Sequence, residues 1–268
     1  MSGLRLVLKA PLEARLDCTG LLPAALSGLS EAAAERRVLP YGTSRAALGD
    51  LFTVTRGASA ALVISGDARL DFVGAGLGAG EILVDGPIGA GGGWGMTGGR
   101  LVVRGAAGDD LAAGLAGGRI EVSGAAGARL GGPLPGARTG MRDGLVKVGG
   151  GTGPLAGVRQ RGGLILIAGD AGERAAEGMI AGTLAVAGGI GPRAGRGMRR
   201  GSLLLGRAPD LVPDGFASCG AADFVMLLLI ARRVPELAAA FGGGLSGRAE
   251  RLVGDRLSGG EGEILVLS

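Results

Sequence analysis

Two aliphatic columns recur along the middle of the chain. With the second glycine of each GG pair, or its equivalent, as origin, the origins are Gly80, Gly99, Gly118, Gly144, Gly163, Gly182 and Gly201. They follow one another every 19 residues, with a single gap of 26 between Gly118 and Gly144. Two residues after the origins stand Ile82, Leu101, Ile120, Val146, Ile165, Leu184 and Leu203; four after stand Val84, Val103, Val122, Val148, Ile167, Val186 and Leu205. The neighbouring column is mixed: Glu81, Arg100, Arg119, Leu145, Leu164, Thr183 and Ser202. A period of two with one constant apolar face predicts a short strand in every unit. Three residues before the origins lie Leu77, Met96, Leu115, Met141, Gln160, Met179 and Met198, mostly flexible fillers for the same interior. A weaker copy, ALVISG, starts near Ala60.

Glycine holds further columns after each strand, six residues past the origin (Gly86, Gly105, Gly124, Gly150, Gly169, Gly188) and nine past it (Gly89, Gly108, Gly127, Gly153, Gly172, Gly191). The expectation is that these are corners with positive φ, where glycine escapes the Cβ clash. Asparagine, the other residue that tolerates such corners, is absent, so glycine is expected to do this alone. A phosphate-cradling loop would occur once, between a strand and a helix; this pattern recurs seven times with no helix inside it.

The predicted fold class is therefore all-β: a right-handed parallel β-helix, a solenoid of about eight coils and roughly 35–40 Å in length. Its open ends need caps. At the N-terminus LRLVLKA reads as a strand and SEAAAERRV as a short helix; at the C-terminus AADFVMLLLIARRVPELAAAF reads as a helical pair broken at Pro235, followed by a returning strand in GDRLSGGEGEILVLS. The expected division is an N-terminal strand and helix cap over 1–50, the β-helix over 51–210 and a C-terminal helical segment with closing strand over 211–268.

Composition narrows the chemistry. Glycine, at 59 of 268 residues, follows no Gly-X-Y period, and an apolar content of 47% argues against a disordered linker. The chain has no histidine and only Cys18 and Cys219, so it lacks the commonest general base and any zinc-ligand spacing. Cys219, with no histidine to activate it, is expected to be a buried structural thiol. Aromatics make up 3%, and a net charge of +4 is spread among arginines, all but Lys9 and Lys147 of the 28 basic residues; neither suits nucleic acid. No apolar run is long enough to span a bilayer and the N-terminus lacks an uncharged run of signal-peptide length, so no membrane contact and a cytoplasmic location are expected.

The iterated G-M-x-G-G-x-[LI]-x-V-x-G units, GMRRGSLLLG in the last unit and the closing GDRLSGGEGEIL resemble the C subunit of formylmethanofuran dehydrogenases. They resemble equally its counterpart in the formyltransferase/hydrolase complexes of methylotrophic bacteria, and the glycine-rich β-helix that forms the C-terminal domain of the glutamate synthase large subunit. The likeness covers roughly residues 50–268, departing at an insertion around residues 131–140 and at Gln160. It implies a non-catalytic scaffold subunit of a one-carbon-transfer complex. Hydrolase, formyltransferase or dehydrogenase-like sister subunits would carry the active sites and metals, methylofuran or methanofuran would serve as carrier, and this chain would bind no cofactor. The Ala/Arg/Gly bias with almost no Lys or Asn suggests a GC-rich bacterial genome. That favours the formyltransferase/hydrolase version over the tungsten or molybdenum dehydrogenase.

Two readings of other classes stand beside the scaffold. A free-standing carbohydrate-acting β-helix enzyme would need clustered carboxylates; the nearest pair, Asp109-Asp110, reads as a solvated loop. A module binding a polyanionic carrier rests on Arg159, Arg161, Arg174, Arg193, Arg196, Arg199, Arg200 and Arg207, set against only Asp170, Glu173 and Glu177. In the 19-residue register Arg161 and Arg199 share a column with Ile180 between them, Arg174 and Arg193 are adjacent in another, and Glu177 is expected to pair with Arg196. The family's furan carriers have glutamate-rich tails, which makes Arg161, Arg199 and Arg200 the candidate stripe, either for such a tail or for an acidic sister subunit. The ligand inventory leads to the expectation that the purified chain holds no stoichiometric transition metal or iron–sulfur cluster. Elemental analysis checks this, and one tightly held metal per chain would refute it.

Overall fold

The computed structural model describes residues 3–243 and 245–267. Residues 1–2, 244 and 268, which belong to the two expected end segments, lie outside the described residues. The N-terminal region supplies β1 (Leu4–Leu8), β2 (Leu16–Asp17), α1 (Pro23–Leu26), α2 (Glu31–Glu35), β3 (Val38–Tyr41), β4 (Ser44–Ala47), α3 (Leu48–Leu51) and β5 (Phe52–Arg56). The repeats supply β6 (Leu62–Ser65), β7 (Leu70–Asp71), β8 (Glu81–Asp85), β9 (Arg100–Val103), β10 (Ala116–Val122), β11 (Asp143–Val148), β12 (Leu164–Ile167), β13 (Thr183–Val186) and β14 (Ser202–Leu205). The C-terminal region supplies β15 (Ala217–Asp223), α4 (Val225–Arg233), α5 (Pro235–Ala240), β16 (Arg248–Gly254) and β17 (Gly262–Leu267).

The result is mostly sheet, with few and short helices. Thirteen strands form one large sheet in the order β15-β16-β17-β14-β13-β12-β11-β10-β9-β8-β6-β1-β5, parallel from β1 through β17 and antiparallel at both ends. A second sheet, β4-β3-β2-β7, covers the N-terminal end. The two aliphatic columns are continuous ladders of the large sheet: Ile82 pairs with Leu101, Leu101 with Ile120, Ile120 with Val146, and so on to Leu203 with Ile264. Every residue named in these columns is buried. A second ladder of isolated parallel bridges runs Ile88–Ala107–Ala126–Thr152–Ala171–Ile190, in the same one-repeat register. The 26-residue gap is absorbed outside the ladders, where Leu134 of the insertion lies over Gly114.

The glycine columns divide by physical cause, and not as the pattern alone suggests. Positive φ falls on the origin glycines, from 72° at Gly99 to 100° at Gly144. It also falls on positions eleven and thirteen past the origin. The first of these holds Phe72, Gly91, Asp110, Arg129, Leu155, Arg174 and Arg193. Six of those seven are not glycine, so glycine does not do this work alone. Five of the six non-glycine residues are held by the next repeat: the N–H groups of Phe72, Asp110, Arg129, Leu155 and Arg174 donate to the carbonyls of Ala90, Ala128, Pro154, Glu173 and Pro192 at 2.8–2.9 Å. These bonds offset a conformational cost of about 1–2 kcal/mol per residue. The glycines six and nine past the origin serve a different need. Apart from Gly86 they have no positive φ; a Cβ on Gly105 would stand 2.5 Å from the Gly86 carbonyl carbon, and one on Gly172 2.7 Å from that of Gly153. They are glycine because successive repeats touch backbone to backbone.

The ends match the pattern in kind and add strands to it. β1 enters the large sheet between β6 and β5, and Ser30 caps α2 by accepting a hydrogen bond from the Ala33 N–H. At the other end the closing strand β17 is one of three, since β15 and β16 extend the sheet beyond it. Cys219 lies exposed on β15, not buried, because β15 is the outermost strand; Cys18 is the buried thiol, and burial, with Asp17 and Asp71 nearby, pushes its pKa far up. The outward column three past the origin is polar at Glu121 and Lys147 but buried at Leu166, Ala185 and Leu204. There α4 and α5 cover the sheet through Leu227 and Leu237.

Replacing Val103 with Asp should destabilise the chain by several kcal/mol, because the carboxylate would enter a dry interior. Gly105→Ala should cost about 1–3 kcal/mol through backbone overlap. Arg100→Ala, on the solvent side with bonds only to Glu81 and Glu121, should stay within about 1 kcal/mol. Urea denaturation of the three variants checks this order.

Candidate functional site

Charge on this surface is arranged by repeat register. Arg100 bridges Glu81 at 2.8 Å and Glu121 at 2.9 Å, and Arg119 joins Glu121 to Glu236 of α5 at 2.6 Å, which ties the helical cap to the repeats. Burial pushes the Glu121 carboxyl up, but hydrogen bonds from Arg119 and Arg100 hold it below its ordinary value. Asp109-Asp110, expected to be solvated, is bonded to the next repeat. Asp109 accepts from the Ala128 N–H at 2.8 Å, and Asp110 pairs with Arg129 through two bonds. Asp71 does the same for Ala90 while Arg15 grips it from outside. Side chains at matching positions lie one strand spacing apart, about 4.8 Å.

The arginines of the last repeats separate into two sets. Arg174 pairs with Glu177 and Arg193 with Glu173, so both are neutralised locally. The expected Glu177–Arg196 pair does not form: Arg174, three residues back in the same corner, takes Glu177 through two hydrogen bonds, and Arg196 contributes only a longer-range field. Arg161 and Arg199 are brought together as expected, with Ile180 between them. The N–H groups of Arg161, Ile180 and Arg199 donate to Met141, Gln160 and Met179 at 2.8 Å, and Glu261 continues the column by donating to the Arg199 carbonyl. With Arg200, Ala181, Ser258 and Gly259, these residues line an open groove of about 740 Å³. Arg200 reaches Glu261 only at 3.9 Å, and both side chains are largely exposed. Arg161 and Arg199 have no acidic partner among the described residues.

One member of this stripe was overlooked in the sequence pattern. Arg142 stacks directly beneath Arg161: its carbonyl would lie 2.1 Å from a Cβ on Gly162, and its N–H donates to Leu115. Arg142 lies 19 residues before Arg161, two residues ahead of its own origin glycine, so the repeat register by itself places it in the Arg161 column. Glu261 and Ser258 were also missed, because only folding brings the closing segment beside the last repeat.

A second groove, of about 1000 Å³, lies between the corner at Arg193 and Arg196 and the segment Pro209–Asp214. Its wall includes Asp255, a buried carboxylate. Burial raises the pKa of this group, but the Gly197 N–H, the Ser258 hydroxyl and the Leu257 N–H donate to it and hold it below the ordinary aspartate value. Asp255 thereby clips the closing segment to the last repeat. No group of three or more His, Cys, Asp or Glu side chains that could hold a metal occurs among the described residues, and no described helix is long and apolar enough to cross a membrane.

These features define a class: a glycine-laddered, mostly parallel sheet whose organised surface chemistry is a set of paired charges and one unpaired arginine groove. No family model matches the chain. Over 92 residues it is 49% identical to the Fhc C subunit of the formyltransferase/hydrolase complex of Methylorubrum extorquens; the match spans 33% of this chain and 33% of that curated relative. Over 98% of this chain and 99% of the other, it is 40% identical, with a TM-score of 0.91, to a chain of the crystal structure of the formyltransferase/hydrolase complex (FhcABCD) from Methylorubrum extorquens in complex with methylofuran. The chain belongs to the family formed by the C subunits of formyltransferase/hydrolase complexes.

Because the folded pKa of Asp255 is depressed, its contribution to stability is present above the unfolded value of about 3.9 and is lost as pH falls through the folded value. Asp255→Asn should lower stability at neutral pH by about 1–3 kcal/mol. Urea denaturation across pH checks this, with the gap between the two proteins closing in acid.

Proposed function

We propose that this chain is the scaffold subunit of a formyltransferase/hydrolase complex, organising sister subunits that carry out formyl transfer and hydrolysis with a furan carrier. The observation that carries this reading is the full-length likeness to a chain of the FhcABCD complex. Both named relatives come from formyltransferase/hydrolase complexes, which favours that version over the molybdenum or tungsten dehydrogenase. We further infer that the repeats, roughly 51–210, wind as a right-handed parallel β-helix, capped by residues 1–50 and 211–268. Two ladders in the same 19-residue register support that reading.

Within the assembly, Arg161, Arg199 and Arg200 attract the anionic part of the carrier along their groove. The supporting observation is that these arginines lack strong local partners, whereas Arg174 and Arg193 in the same repeats are neutralised. Attraction of this kind acts on capture and fades with salt, the Debye length being about 8 Å at 0.15 M. The test is steady-state kinetics of the assembled complex with all three arginines changed to Ala. A several-fold rise in KM for the carrier at low ionic strength, shrinking at high ionic strength, is expected. An unchanged KM with the complex intact refutes the capture role, and dissociation of the complex assigns the arginines to an interface with a sister subunit instead.

A further inference from the structure

Helix α4 is apolar on two faces, and the described residues cover only one of them. Leu227 is buried against the sheet with Leu166, Ala185, Leu204 and Leu265. Val225, Leu228 and Leu229, followed by Arg232, stand at i, i+3, i+4 and i+7 and form a second stripe; Val225 is 68% and Leu229 58% exposed. A helix that is apolar all round is ordinarily buried all round. The strand that feeds it is equally uncovered. β15 is the outermost strand of the large sheet, and Ala217–Ala222 carries none of the charges or prolines that guard free edges.

Charge decides the occupant. The stripe has an acid at one end, Asp223, and two arginines at the other, Arg232 and Arg233, neither with an acidic partner among the described residues. Asp223 touches Arg248 only at 3.7 Å and stays 78% exposed. A surface with opposite charges at its two ends is its own complement under a two-fold rotation. We propose that this face is an isologous interface between two copies of the chain, with α4 packed antiparallel against α4 of the second copy. Leu228 then faces Leu229 of the second copy, Val225 packs on the Arg232 stem, and Asp223 approaches Arg233 at both ends of the contact. A nine-residue helix is about 14 Å long and about 10 Å wide, too small a footprint for the ~1,000 Å² of a stable contact. The free edge of β15 therefore joins the interface, and the association is reversible.

The test is sedimentation equilibrium of the full-length chain over a wide concentration range. The expected mass rises from 26.1 kDa towards twice that value, and Leu229→Glu, on an exposed position, holds it at the single mass. Asp223→Arg in one chain, or Arg232→Glu with Arg233→Glu in another, should each weaken self-association at least tenfold. Mixing the two variants should restore association, because both end contacts regain opposite signs only in the mixed pair. A single mass for the unaltered chain at every concentration overturns the proposal, as does a mixture that stays dissociated. The proposal also falls if Leu229→Glu leaves self-association intact and strips a sister subunit from the complex, since the face would then belong to another protein.

Discussion

The structure depends on backbone contact between successive repeats. Each unit hydrogen-bonds to the next through strand ladders and through corner N–H groups at 2.8–2.9 Å, and at the glycine columns no room is left for even a Cβ. This contact explains why glycine is so abundant and why left-handed arginine, leucine and phenylalanine are tolerated: the neighbour supplies the hydrogen bonds that hold Phe72, Arg129, Leu155 and Arg174. A single unit could bury neither its aliphatic columns nor its corner donors, so the fold is stable only as a stack.

Stacking also turns sequence spacing into surface chemistry. Residues 19 apart become neighbours about 4.8 Å apart. Opposite charges in one column therefore become ladders such as Glu81–Arg100, whereas like charges become a field. Arg142 and Arg161 are such a like-charge pair, and Arg199 continues their column beyond Ile180. In the earlier repeats Arg100, Arg104, Arg119 and Arg129 are matched to carboxylates, so the unmatched groove is a local feature of the later repeats rather than a consequence of net charge. Among the described residues, the two buried side-chain atoms without a partner, Thr152 Oγ1 and Gln160 Oε1, also belong to the unit that starts at Gly144, just past the insertion. Gln160 replaces a methionine there and satisfies its amide N–H groups on the carbonyls of Gly162, Gly163 and Thr183.

The C-terminal region joins these two themes. Asp255 clips the closing segment to the last repeat, and Arg119–Glu236 secures the helical cap much further back along the sheet. Between these anchors, α4 and α5 cover Leu166, Ala185 and Leu204, the stretch where the outward column of the repeats is apolar and buried. The cap thus ends the sheet and presents a new apolar face outward.

By itself the sequence determined the strands, their register and their buried columns, because a repeat writes the same packing constraint seven times. It also made Arg161, Arg199 and Arg200 legible as one group, since register alone places them. What only the tertiary structure decided was everything that depends on contacts outside the repeat. It separated glycines needed for positive φ from those needed for close approach, a distinction that lies in the neighbouring layer and not in the residue. It gave Glu177 to Arg174 instead of Arg196, and left Cys219 exposed on an added edge strand. Glu261 and Asp255 lie about sixty residues from the repeat positions they touch, Arg199 and Gly197, so no local pattern could have joined them before the chain folded back on itself.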